Sequence, residues 1–148
     1  PAFIADSGLA DQGGWLAVDP RSLCHTEYAN IWGLGDVMNT TNAKTMAAVR
    51  KQVPVVAKNI ISVQAGQAPA AKYDGYGSCP LTVERGKIIL AEFCYGGRVA
   101  PSFPSWINAG TKPTKLAWWL KSLALPFVYW HLMLKGREWM THCPEEKA

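Results

Sequence analysis

The chain has 148 residues, with 49% apolar and 18% charged side chains and a formal net charge of +4. That is enough for one domain with a real core, and it excludes a disordered chain. The basic residues are scattered with no run of like charge, which speaks against nucleic acid as a partner and suits an anionic membrane surface only where an apolar face goes with it.

The sequence starts at Pro1 with no basic-then-apolar leader pattern. It opens without Met on an apolar stretch that runs into a loop, so a fragment of a longer chain is expected. Gly13 and Gly14 mark a turn, residues 15–18 (WLAV) a candidate strand, and Asp19-Pro20 a closing turn. Residues 22–28 are polar and suit a second edge strand. Cys24 and His25 lie there. Neighbours in a strand point to opposite faces, so an ordinary loop or edge strand is a better reading than a shared site. The cysteines at 24, 79, 94 and 143 have no CxxC spacing and no zinc-type clustering, and no metal site is expected.

Residues 30–52 (NIWGLGDVMNTTNAKTMAAVRKQ) organise the chain. Ile31, Trp32 and Leu34 read as a short buried strand. Gly33 and Gly35 remove side chains where something approaches the backbone closely. Asp36 then falls just past a strand end, the face where α/β sheets bind ligands. A helix is expected from Lys44 to about Val63, kinked or split at Pro54. Small residues at 43, 47 and 48 allow close packing on a sheet or cofactor. The free N–H groups of the first turn favour an anion or a polarised carbonyl. The GxGD pattern is short, and an ordinary βα unit with Asp36 as a cap accounts for it equally well.

Residues 65–71 form a linker, and residues 73–80 (YDGYGSCP) a loop rich in Gly and Tyr. Two strands, 81–84 and 87–95, flank Arg85-Gly86 as a hairpin. With Glu84 opposite Lys87, Leu81 faces Leu90 and Val83 faces Ile88. Cys79, Glu92 and Cys94 then share their face. Cys79 and Cys94 would be diagonal, about 7–8 Å apart at Cα, beyond the roughly 4.4–6.8 Å a disulfide takes. A one-residue slip would move Cys79 to the other face.

Residues 96–110 are irregular and carry Phe103 and Trp106. A helix is expected over 113–125, broken by Pro126, and a second over 127–134 (FVYWHLML). The length approaches that of a membrane span, yet Lys121 and Pro126 fall in its middle. Short amphipathic helices lying in a membrane interface fit better, with Trp118, Trp119, Phe127, Tyr129 and Trp130 at headgroup level and Lys115, Lys121, Lys135 and Arg137 near the phosphates. A buried helical hairpin or a dimer contact is the alternative.

Taken together, NIWGLGDVMNTTNAKTMAAVRKQVPVVAKN, then KYDGYGSCPLTVERGKIILAEFCYGG, then LPFVYWHLMLKGREWM resemble the membrane-bound sulfide:quinone oxidoreductases, flavoproteins of the pyridine nucleotide-disulfide oxidoreductase superfamily. The resemblance covers about residues 9–140. It implies an α/β fold, here an α+β fragment from the C-terminal part of a flavoprotein with two Rossmann-like domains. Residues 1–66 would end the FAD-binding domain, 67–110 would carry the redox-cysteine loop and hairpin, and 111–148 the membrane- and quinone-associated helices. It implies FAD as cofactor, with Gly35, Asp36, Lys44 and Thr45 at the flavin. It implies Cys79 as one of two redox cysteines, and Phe103, Trp106, Trp118, Trp119, Phe127, Tyr129 and Trp130 as quinone- or membrane-facing.

The partners implied are sulfide, a membrane quinone and a membrane surface; the expected location is a bacterial inner membrane, and a homo-oligomer is left open. No GxGxxG fingerprint is present, and neither Cys24, Cys94 nor Cys143 matches the second redox cysteine. The fragment alone is therefore expected to hold no FAD and to be inactive. Two competing readings remain: a nicotinamide-dependent quinone reductase of the same superfamily, and a non-catalytic membrane or dimerisation module. Chemically, hydrosulfide attacks a disulfide or polysulfide sulfur, leaving a persulfide and a thiolate. Cys79, preceded by Gly75, Gly77 and Ser78 and followed by Pro80, has the loop exposure such a sulfur needs.

Overall fold

The computed structural model describes residues 2–105 and 111–137; Trp106 and Cys143 lie outside them. After a short helix α1 (Ala2–Ala5) the chain builds a core from turns rather than from ladders. Leu16 bridges Ala10 and Met38, Val18 bridges His25, and Cys24 bridges Trp32. The strands expected over 15–18, 22–28 and 31–34 are thus single bridges. The Asp19 carboxylate accepts hydrogen bonds from the Arg21 and Ser22 amides and from the Ser22 hydroxyl. Such an Asx-type turn reverses the chain too tightly for long pairing. Just beyond it, Leu23 takes a left-handed φ of 64° while its side chain is fully buried. Burial of a leucine, worth about 1.5–3 kcal/mol, outweighs the roughly 1–2 kcal/mol of that conformation.

The expected burial of Leu34 does not hold: it is exposed, while Gly33 is buried. A Cβ on Gly33 would lie 2.8 Å from Leu16 Cδ2, 2.9 Å from Met38 Cγ and 3.0 Å from Val18 Cγ1. What approaches this glycine is the protein's own core.

Helix α2 (Met46–Gln64) starts at Thr45, whose hydroxyl accepts from the Ala48 amide at 3.3 Å. The helix runs undivided through Pro54, so the expected split does not occur. An interior proline costs about 3 kcal/mol. The buried face made by Ala48, Gln52, Val55, Val56 and Asn59 repeats at helical spacing, and its two valines alone return about 3–6 kcal/mol. Val55 and Val56 meet Leu16, Val18, Leu23, Met38, Ala71 and Tyr73 in the first core. Asn59, fully buried, donates to the carbonyls of Ser22 and Ala71 and accepts from the Ala71 amide. It stitches both the Asp19 turn and the end of the linker to α2.

The hairpin comprises β1 (Gly77–Glu84) and β2 (Lys87–Phe93). Glu84 opposes Lys87 as expected, but a bulge between Thr82 and Glu84 shifts the register from there on. Leu81 pairs with Ile89 and Cys79 with Ala91, not Leu81 with Leu90. The expected face is therefore redistributed. Ser78, Pro80 and Thr82 share a face with Ile88, Leu90 and Glu92, and Cys79 lies on the opposite one. Cys79 is also inside a strand, not a loop. Cys94, just past β2, is buried, and its thiol points to Asp74 Oδ2 at 3.4 Å.

Helix α3 (Lys115–Trp119), a π-helical turn (Leu120–Ala124) and α4 (Leu125–His131) form one continuous helical run. Thr114 caps its start through the Ala117 amide at 3.1 Å. The expected break at Pro126 is absent. The Leu125 amide reaches back to the Leu120 carbonyl, a five-residue step that widens the turn ahead of the proline ring, and Pro126 falls in the first turn of α4, where its missing N–H costs least. Ala117 and Trp118 pack on Ile88 and Leu90 as a second core, joined by Phe103 and Leu120.

Candidate functional site

The 30–52 stretch is pinned from behind. The Gly35 amide, at a φ of +76°, donates to buried Gln52 Oε1 at 2.7 Å, so it is spoken for within the protein. Asp36 is exposed in the following turn Gly35–Val37. The half-buried Lys44 ammonium donates to the Met38 carbonyl and stands 5.1 Å from the Trp15 ring centroid. Burial pushes it below the ordinary lysine value, and the Asp36 carboxylate pulls it back up. Thr45 spends its hydroxyl on the helix cap. Between Asp36 and Lys44, buried Asn42 donates to the Ala43 carbonyl, while its own Oδ1 has no hydrogen-bond partner among the described residues. A buried acceptor left open calls for a donor, and the ammonium has donors beyond the one used. A ligand edge carrying both N–H and C=O groups, as a flavin pyrimidine ring does, fits this pair.

The hairpin reaches the same place. A Cβ on Gly77 would lie 2.9 Å from Ala43 Cβ, so β1 starts against the residue that precedes Lys44. Cys79 follows two residues on, about 7 Å along the strand and on the same face as Gly77. It is half-buried, beside Ala91 and Leu81 and away from the Ile88 and Leu90 core. The register slip thus places Cys79 on the Ala43 side of the sheet. Cys24, Cys79 and Cys94 are all free thiols.

On the opposite face a cavity of about 250 Å³ opens between α2, the hairpin and α4. Met46, Leu90, Phe103, Leu125, Val128 and Tyr129 supply apolar walls. Arg50, Lys51, Tyr76, Ser78, Glu92 and Ser102 supply polar ones. Glu92, 2% exposed, accepts from the Tyr76 hydroxyl at 2.5 Å and from the Ser102 amide at 3.0 Å. Burial, then the Glu92 carboxylate, pushes Tyr76 up to about 12. The sequence alone does not mark Glu92, Gln52 and Asn59 as site or anchor residues. Their signal is a polar side chain in register with an apolar face: 92 with 88 and 90, 52 and 59 with 48 and 55.

The C-terminal aromatics divide. Trp119, Phe127 and Trp130 are 61%, 60% and 63% exposed, and an open apolar groove of about 600 Å³ runs along Leu116, Trp119, Leu123 and Phe127. Tyr129 and Phe103 line the cavity, Trp118 packs into the second core, and Trp106 lies outside the described residues. Lys121, expected at the phosphates, instead donates to Thr82 Oγ1 at 3.0 Å and to the Pro80 carbonyl at 3.4 Å. Among the described residues no helix is long and apolar enough to cross a membrane, and no group of three His, Cys, Asp or Glu could hold a metal.

Cys24 and His25 form no joint site. His25 is buried; its Nδ1 accepts from the Glu27 and Tyr28 amides, so Nε2 carries the proton donated to the Leu9 carbonyl at 2.9 Å. The Cys24 thiol faces the Tyr28 and Ala29 carbonyls. The histidine is a brace.

No family model matches the chain. Among curated proteins it is 37% identical to the mitochondrial sulfide:quinone oxidoreductase of Mus musculus and 42% identical to that of Dictyostelium discoideum, in each case over 92% of this chain. It is 38% identical to that of Schizosaccharomyces pombe over 93% of this chain. It spans about 30% of the length of each. All three are named mitochondrial, so the expected bacterial inner membrane finds no support among them. Among solved structures, a chain in the mitochondrial ATP synthase tetramer of Tetrahymena thermophila superposes with a TM-score of 0.69 at 31% identity, over 86% of this chain and 31% of that one. Over nearly the whole of its own length, and about 30% of theirs, the chain is similar to these sulfide:quinone oxidoreductases.

Proposed function

We propose that this chain is the C-terminal, flavin- and quinone-contacting part of an FAD-dependent sulfide:quinone oxidoreductase with two Rossmann-like domains. The supporting observation is 37–42% identity to three such enzymes along nearly the whole chain. Lys44 and Asn42 would meet the flavin's pyrimidine edge, with Asp36 and Thr45 beside it. The bound flavin would supply a two-electron relay between sulfur and quinone. Cys79, with a second cysteine from the rest of the protein, would present the electrophilic sulfur. Hydrosulfide attack on that bond forms one S–S bond as the other breaks, giving a persulfide and a thiolate. The cavity behind β1 would take the quinone ring. Val128 lines both this cavity and the open apolar groove, which gives a lipid-soluble tail a way out toward the bilayer. Trp119, Phe127 and Trp130 would rest in the membrane interface, and the relatives are named mitochondrial.

The experiment is direct. Full-length protein should purify yellow, bleach under anaerobic sulfide, and recover its colour on adding a quinone. Colourless protein, or colour indifferent to sulfide, contradicts the reading. A second reading is favoured by the match to a chain in an ATP synthase assembly: a subunit that serves assembly rather than sulfide chemistry. It predicts co-migration with a large membrane complex and no response to sulfide.

A further inference from the structure

Reducing a quinone to a hydroquinone takes two electrons and two protons, and a ring oxygen seated against the inner wall of the cavity would need its proton from the protein rather than from water. The cavity carries a device suited to that. Glu92 is 2% exposed, yet it lines the cavity from β2. A carboxyl group buried beside Leu90 and Phe103 is costly unless hydrogen bonds hold it. The Tyr76 hydroxyl donates to it at 2.5 Å and the Ser102 amide at 3.0 Å. The Tyr76 hydroxyl lies in turn 3.2 Å from Ser102 Oγ. Ser102 is half-buried where Glu92 is buried, so the three groups make a hydrogen-bonded line from the rim to the wall of the cavity.

We propose that Glu92, supplied through Ser102 and Tyr76, hands a proton to the quinone in this cavity; the inference rests on the quinone-reducing reading above. The two electrons would come from sulfide by way of the flavin of that reading. The O–H bond on the Glu92 carboxyl breaks as an O–H bond forms on a ring oxygen. Water returns the proton by a concerted shift, Ser102 to Tyr76 and Tyr76 to Glu92, and the second ring oxygen is protonated from solvent. Among the described residues, Arg50 and Lys51 from α2 and Tyr129 from α4 are the other titratable groups facing the cavity, and Lys51 stands 5.5 Å from the Tyr76 ring centroid. The positive charge of Arg50 and Lys51 would steady the carboxylate left behind.

The test separates the two halves of turnover in full-length protein. Sulfide-bleached enzyme is mixed anaerobically with a short-tailed ubiquinone, and the return of colour is timed. Glu92→Gln should bleach at the wild-type rate but recover about 100-fold more slowly. Glu92→Asp should regain part of the rate. Tyr76→Phe and Ser102→Ala, which cut the supply line and leave the carboxyl in place, should slow recovery less; they also serve if Glu92→Gln fails to fold. Recovery within twofold of wild type in Glu92→Gln, or in both supply-line variants should Glu92→Gln not fold, overturns the relay and leaves the quinone reading intact. A wild type that sulfide does not bleach overturns both.

Discussion

At the scale of single residues, Gly33 is decided by packing. Its absent Cβ leaves room that Leu16, Val18 and Met38 occupy at 2.8–3.0 Å. Gly33→Ala should therefore destabilise full-length protein by about 1–3 kcal/mol, read as a lower denaturant midpoint with an unchanged slope. Tyr76 makes a different prediction. Burial and Glu92 raise its pKa from the ordinary 10.0 to about 12, so the folded state favours the neutral phenol. That contribution is whole below pH 10.0 and is lost as pH rises toward about 12. Tyr76→Phe should flatten the fall of stability with pH in that window, measured by alkaline denaturation. A glycine between apolar residues in a GxG pattern is visible in sequence. Whether a ligand or the protein's own core approaches it is a tertiary fact, and here it is the core.

At the scale of elements, helix α2 and the hairpin were legible because periodicity and turn residues coincide. Thr45 caps one, and Arg85-Gly86 turns the other. The register was not legible, because a bulge beyond the turn depends on how the strands twist rather than on which residues flank the turn. That one residue decides which side of the sheet Cys79 takes. Pro126 misled for a related reason: a π-helical turn accommodates it where a break was expected. The helical run keeps Trp119, Phe127 and Trp130 on the outside. Replacing all three by Ser should lower binding of full-length protein to anionic liposomes by at least about tenfold, measured by co-sedimentation. Unchanged binding would assign those residues to a protein contact instead.

At the scale of the whole molecule, two regions meet. Ala43 and Gly77 bring the start of α2 against the start of β1, and Cys79 follows on that side. The cavity with Phe103 and Tyr129 lies on the other side of the same hairpin. A single two-stranded sheet thus separates the proposed sulfur side from the proposed quinone side. The sequence motifs named most of these residues; only the packing of Gly77 on Ala43 brings them together, since nothing in either motif refers to the other. Sulfide-dependent quinone reduction by the full-length protein, wild type against Cys79→Ser, is the most direct test. The account predicts turnover in the wild type and its loss, by about 1,000-fold or more, in the serine variant, which folds and stays yellow but lacks the exchanging sulfur. Equal turnover in the two proteins would contradict it.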